Sequence, residues 1–151
     1  MLKKRIMKII IDADACPVYK QAVKIAKEFN IKCVLVCDFN HVLNLDYGEV
    51  ITVDKGHDNA DFKIVSILEL GDMVITQDYG LATLVLAKGG FAMHHSGMIY
   101  TGENIDKLLF ERFLSAKVRR SGKRTKNMKK FTDDEVEKFC NSLSNWIELN
   151  K

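Results

Sequence analysis

The sequence predicts an α/β fold of three layers, Rossmann-like. Helices cover both faces of a mainly parallel sheet of about five strands, and further helices close the C-terminal end. Three observations predict it. Short apolar, β-branched runs recur at residues 8–12, 32–37, 50–53, 73–76 and 91–93. Stretches with helical spacing separate most of them, the pattern of βαβ units. A length of 151 residues with 47% hydrophobic content suits one core, so residues 1–151 are read as a single domain.

The first run, Lys8-Ile9-Ile10-Ile11-Asp12, reads as a buried strand that stops at carboxylates. From Pro17 to Phe29, Val18, Ala22, Ile25, Ala26 and Phe29 keep helical spacing, and Pro17 suits a first helical turn. Residues 32–37 form a second strand, 38–49 a loop, and Val50 to Val53 a third strand. A helix follows from Asp58 to Leu70, with Phe62, Val65 and Leu68 as its buried stripe, Ile64 and Ile67 on its flanks, and Gly71 as its cap. Residues 73–76 are the fourth strand, 79–88 a helix ending at Gly89-Gly90, and Phe91 to Met93 the fifth strand. Such crossovers are right-handed in nearly all cases. Glu103 to Val118 is helical, with Ile105, Leu108, Leu109 and Phe113 as its apolar side. Thr132-Asp133-Asp134-Glu135 is a capping box opening a last helix, whose Val136, Phe139, Cys140, Leu143, Trp146 and Ile147 should dock on the body.

Several classes are excluded. No apolar run approaches the roughly 20 residues that span a bilayer. The start, Met-Leu-Lys-Lys-Arg-Ile-Met-Lys, lacks a signal peptide's apolar region, so the cytoplasm is expected. Cys16, Cys33, Cys37 and Cys140 show no zinc spacing and are read as reduced core thiols. Neither GxGxxG nor GxxxxGK[ST] occurs, which argues against a dinucleotide enzyme or a P-loop NTPase.

The chemistry is in the acids. Asp12 and Asp14 follow strand one, and Asp78 follows strand four, where ligands bind in parallel sheets. Asp58 and Asp61 share a face in a first helical turn. Converging carboxylates repel unless a cation joins them, which points to Mg²⁺ or Mn²⁺ and a phosphate-directed function. Each acid also has a purely structural reading. Asp58 and Asp61 suit a helix dipole, and Asp78 a helix cap. Asp12 and Asp14 resist one, since a carboxylate beside a buried strand is costly unless paired or solvated. His94-His95 would point apart on an extended chain, which leaves joint ligation doubtful and makes them ordinary surface or loop residues; His57 at least neighbours the acids.

The net charge of +3 hides an asymmetry. Residues 117–130 hold eight of the 23 bases and none of the 20 acids, so the remaining 15 bases leave the rest at −5. The stretch could grip a polyphosphate backbone or be a solvated connector. With no aromatic residue before Phe131, it does not indicate base stacking.

The strings Asp12-Ala13-Asp14-Ala15-Cys16-Pro17-Val18, Asp58-Asn59-Ala60-Asp61 and Thr76-Gln77-Asp78-Tyr79-Gly80-Leu81-Ala82 resemble the YaiI/YqxD family of small bacterial proteins. So do Tyr100-Thr101-Gly102-Glu103-Asn104-Ile105 and Arg119-Arg120-Ser121-Gly122 leading to Phe131-Thr132. The likeness runs from about residue 8 to 145, with Asn127-Met128 where relatives often carry Gly-Pro. It implies a PIN-like domain, a group that contains Mg²⁺- or Mn²⁺-dependent nucleases and whose members often pair as homodimers. By that resemblance Asp12, Asp61 and Asp78 form the core of a metal site, with Asp14 and Asp58 in support.

Three functional readings stay open. The first is a metal-dependent phosphodiesterase on RNA or DNA, with Arg119, Arg120, Lys123 and Arg124 holding the backbone. The second is a phosphatase with Asp12 as nucleophile and Asp14 as acid, although Cys16 stands where such enzymes carry Thr or Val. The third is a non-catalytic nucleic-acid-binding protein of PIN-like fold.

Overall fold

A computed structural model of the chain describes residues 8–38, 43–56, 58–120 and 131–150, apart from the side chains of Arg119 and Arg120. The elements run β1 (Ile9–Asp12), α1 (Tyr19–Glu28), β2 (Cys33–Asp38), β3 (Glu49–Val53), α2 (Asn59–Ile67), β4 (Met73–Ile75), α3 (Tyr79–Ala87), β5 (Phe91–Met93), α4 (Gly102–Arg120) and α5 (Asp133–Asn150). A short 3-10 turn, Ala13–Ala15, follows β1. The five strands form one parallel sheet in the order β3-β2-β1-β4-β5. The chain builds outward from β1 to β3, then returns to place β4 on the other side of β1. The β1/β4 junction is therefore the switch point of the sheet, and in such sheets ligands bind there, at the carboxyl ends of the strands.

The sheet is covered on both faces, which is why its strands are apolar without alternation. Ile9, Ile11, Cys33, Leu35, Cys37, Met73, Ile75 and Met93 pack toward α1 and α5. Ile10, Val34, Val36, Val74 and Ala92 pack toward α2, α3 and α4. Ile9, Ile10 and Ile11 are all fully buried, each worth ~1.5–3 kcal/mol of burial. Helix α5 docks as its stripe requires: Phe139, Leu143, Trp146 and Ile147 are buried, and Trp146 meets Phe91 edge-on at 5.1 Å. Its capping box forms, with the Thr132 Oγ1 accepting from the Glu135 N–H at 3.2 Å and Glu135 Oε1 accepting from the Thr132 N–H at 3.3 Å. All four cysteines are free thiols, three of them buried. Burial pushes Cys16 and Cys33 up to about 12, so they behave as core residues. Among the described residues no helix is long and apolar enough to cross a membrane.

Several elements differ from expectation. Pro17 is not in α1: Cys16 is extended, and the helix starts only at Tyr19, after Val18. Asp58 lies outside α2 as its N-cap, in a left-handed conformation (φ 64°). Helix α2 ends at Ile67, because Leu68 is already extended, and Gly71 caps nothing there. Its buried residue is Ile64, with Leu68 one turn on, whereas Phe62 is 71% exposed. The apolar periodicity of 62, 64, 65, 67 and 68 admits either face, and only packing against β1 and β2 selects one. Leu109 and Phe113 of α4 are exposed, not buried; the helix turns Ile105 and Leu108 inward instead. Finally, His94 and His95 do not splay apart. They sit in a turn with ring centroids 4.1 Å apart, and His95 is buried.

At the amino edge of the sheet lies an ion pair that sequence reasoning missed. Asp72, just before β4, is completely buried and takes the Lys8 ammonium at 2.6 Å. Its two oxygens also accept the backbone N–H groups of Lys8 at 3.1 Å and of Glu69 at 2.8 Å.

Candidate active site

The switch point is built by three segments. Asp12 ends β1 and is half-buried. One step beyond the β1/β4 register (Ile11 opposite Ile75) its neighbour across the sheet is Thr76. Thr76 Oγ1 donates to Asp12 Oδ2 at 2.9 Å and accepts the Asp78 N–H at 3.0 Å. One buried hydroxyl thus sets the positions of two carboxylates. The Thr76 carbonyl accepts from the buried Tyr100 hydroxyl at 3.0 Å, which ties the loop after β4 to the start of α4. Sequence reasoning passed over both residues, although a hydroxyl ending the strand beside an acid-terminated strand was a usable signal.

Asp78 caps α3, its Oδ1 accepting the N–H groups of Gly80 at 2.8 Å and Leu81 at 3.2 Å. Its structural role is therefore real, and its proximity to Asp61 adds to it. Asp61 comes from the first turn of α2 and is half-buried. It is pushed up to about 7, first by burial, then by the charges of Asp78 and Asp12, a hydrogen bond to the Asp78 side chain, and the charge of Asp58. Asp12 is also raised, mainly by burial, with Thr76 opposing and the charges of Asp14 and Asp78 assisting. The two sets of causes overlap: Asp12, Asp61 and Asp78 form one electrostatic unit.

Asp14 and Asp58 are its neighbours rather than its centre. Asp14 is exposed and turns toward β2, its Oδ2 accepting the Asp38 N–H at 3.0 Å. It lines a groove with Asp38, Asp54, Lys55, Gly56 and Ala60. Asp38 follows an apolar strand just as Asp12 does, so the rule that found Asp12 would have found it. A wider cleft beside Lys20, Lys24, Lys27 and Asp46 lies on α1, away from this edge.

The donor chemistry of the trio, carboxylate oxygens only, suits a hard divalent cation. As the side chains stand, no three His, Cys, Asp or Glu among the described residues converge closely enough to hold an ion between them. Local bonds account for this: Asp12 Oδ2 is engaged by Thr76 and Asp78 Oδ1 by the α3 N-terminus. His94 is neutral, with Nδ1 accepting from the Ser96 N–H at 3.0 Å, and burial and His95 push it down to about 4. His95 is lowered by burial too, and its buried Nδ1 has no partner among the described residues. Of the basic residues, Arg119 and Arg120 end α4, while Lys123, Arg124 and His57 lie outside the described residues.

No solved structure matches this chain. Residues 10–149 match the family described as uncharacterised, YaiI/YqxD. A UPF0178 protein of Clostridium novyi is 46% identical over 145 residues, covering 96% of this chain and 97% of the relative. A UPF0178 protein of Bacillus thuringiensis is 50% identical over 146 residues, covering 95% of this chain and 100% of the relative. One from Ruminiclostridium cellulolyticum is 44% identical over 142 residues, covering 94% and 93%. With the family pattern spanning nearly its whole length, the chain belongs to the YaiI/YqxD family.

Proposed function

We propose that the protein is a metal-dependent phosphodiesterase, a nuclease acting on RNA or DNA in the cytoplasm, with a PIN-like site. The observation that carries this reading is the placement of acids from three segments at one edge of the sheet: Asp12 at the end of β1, Asp78 tied to it through the Thr76 hydroxyl, and Asp61 in the first turn of α2 hydrogen-bonded to the Asp78 side chain. Burial and like charge raise Asp61 and Asp12, a cost that a cation drawing the three carboxylates together would remove. Asp12, Asp61 and Asp78 hold Mg²⁺ or Mn²⁺ directly or through water, since Mg²⁺ keeps several waters and needs few direct ligands. The ion supplies Lewis-acid stabilisation of phosphoryl charge and a more acidic water. Asp14 or Asp58 would orient a metal-bound water for in-line attack and take its proton, while the departing oxygen would keep the electron pair of the broken P–O bond and take up a proton from solvent. Arg119, Arg120, Lys123 and Arg124 hold the flanking phosphates, while the acidic remainder repels nucleic acid elsewhere.

Asp12→Asn tests the site. Asn keeps an acceptor for Thr76, so the variant should fold, yet Mn²⁺-dependent cleavage should vanish. Cleavage that persists at the wild-type rate defeats the assignment. Replacing Arg119 and Arg120 with Ala should weaken RNA binding at low salt and flatten its salt slope by ~1–2. A second reading, a non-catalytic nucleic-acid-binding protein, is favoured by the local bonds that keep the three carboxylates from converging. It expects salt-sensitive binding with neither turnover nor a metal requirement.

A further inference from the structure

We propose that the outer face of α4 is a homodimer interface, on which a second copy of this chain packs its own α4 antiparallel. This inference is independent of the metal-site reading. Helix α4 is 19 residues long, yet the apolar side chains it turns into the core are Ile105 and Leu108, with Ser115 and Ala116 half-buried further along. The outward side carries Leu109, Phe110, Phe113 and Leu114, which are 42%, 61%, 54% and 45% exposed. Two exposed phenylalanines beside two exposed leucines are more than scattered surface apolar residues. With Val118, they make an apolar patch of roughly 400 Å², in the range of the largest patch on an ordinary monomer and commonly functional there.

Charge selects the occupant. At 3.6 residues per turn, positions 106, 109, 110, 113, 114 and 117 fall within an arc of about 140°. Asp106 and Lys117 are exposed at the two ends of that stripe along the helix axis. The Lys117 ammonium lies 5.3 Å from the Phe113 ring centroid, so its stem covers the apolar stripe and its charge stands at the rim. The pattern is a palindrome of opposite charge about the midpoint between positions 111 and 112. A two-fold axis there sets Phe110 against the partner's Phe113 and Leu109 against the partner's Leu114. It also sets Asp106 against the partner's Lys117. The acidic position 103 falls opposite the basic position 120 by the same rule. A parallel pairing would face Asp106 with Asp106 and Lys117 with Lys117, which like-charge repulsion disfavours. The self-complementary arrangement is what an isologous interface requires. A helix of this length spans about 28 Å. With its rim included it covers roughly 600 Å² per copy, near the ~1,200 Å² total at which stable interfaces begin.

Sedimentation of the full chain tests this. The wild type should sediment at twice its 17.2 kDa mass at about 100 µM. Phe110→Asp, at an exposed position that leaves the fold intact by circular dichroism, should raise the dissociation constant at least about a hundredfold. Asp106→Lys or Lys117→Asp alone should weaken pairing roughly 3- to 30-fold, since each reversal strikes two symmetric pairs. Combined, the two reversals should restore pairing to within about threefold of wild type. A wild-type monomer at that concentration overturns the proposal, whether the face then proves to bind another protein or nothing. So does a dimer indifferent to Phe110→Asp, or a double reversal that fails to restore pairing.

Discussion

Asp61→Asn isolates the electrostatic cost of the candidate site. The wild-type carboxyl sits at about 7 in the folded protein against 3.8 ordinarily, through burial first and then the charges of Asp78 and Asp12. Between those values the folded protein holds a proton that the unfolded chain has lost. Stability therefore falls as pH rises from about 4 to about 7. About three pH units at ~1.4 kcal/mol each set a ceiling near 4 kcal/mol. Asp61 is only half-buried, and solvent screening reduces the expected effect to ~1–2 kcal/mol. Asn carries no charge and keeps a donor for Asp78, so the variant should lose this dependence. The assay is urea unfolding at pH 4.5, 6, 7 and 8, read as variant minus wild type. The difference should be near zero at the acid end and reach ~1–2 kcal/mol in favour of the variant at pH 8. The difference matters because His94, held down at about 4, acts oppositely in the raw profile. Its stabilising share is present above pH ~6.5 and lost as pH falls through 4. Mn²⁺ at pH 8 should then stabilise the wild type and not the variant. A variant whose profile runs parallel to wild type from pH 4.5 to 8 refutes the carboxylate coupling.

Asp72→Ala should cost ~3–5 kcal/mol in urea unfolding, because it strands the buried Lys8 ammonium. Ile64→Ala should cost ~2–5 kcal/mol, whereas Phe62→Ala in the same helix should stay within ~0.5 kcal/mol; equal losses would show that the wrong face of α2 was assigned. Thr132→Ala should lower the stability of α5 by ~1 kcal/mol, seen as earlier amide exchange in its first turn.

The layered architecture was legible because both faces of the sheet are covered: Ile9-Ile10-Ile11 and Cys33-Val34-Leu35-Val36-Cys37 are apolar without alternation, which only a parallel, helix-covered sheet requires. The cap at Asp78 and the box at Thr132 were legible for a local reason, since each is a contact within three residues. The inward faces of α1 and α5 were legible too, whereas those of α2 and α4 were read only in part. In α2 and α4 apolar residues occupy more than one face, so the choice is made by tertiary packing. The Lys8–Asp72 pair, 64 residues apart, and the Thr76 link between Asp12 and Asp78 depend on the β1/β4 register. No local pattern encodes that register.

The two ends of that same strand pair treat carboxylates in opposite ways. At the amino edge Asp72 is buried completely, yet it receives a lysine and two backbone N–H groups, so its charge is satisfied. At the carboxyl edge, among the described residues, Asp12, Asp61 and Asp78 meet no lysine or arginine at ion-pair distance, and two of the three are raised. With only a hydroxyl and backbone N–H groups as donors among the described residues, the trio is less well compensated than Asp72, at a cost to stability. Such a local cost persists where the site does something with it. Under the proposed metal-dependent reading, a divalent cation would recover that free energy on binding, as a proton does at lower pH. Metal affinity should therefore rise with pH through the range near 7 in which Asp61 gives up its proton.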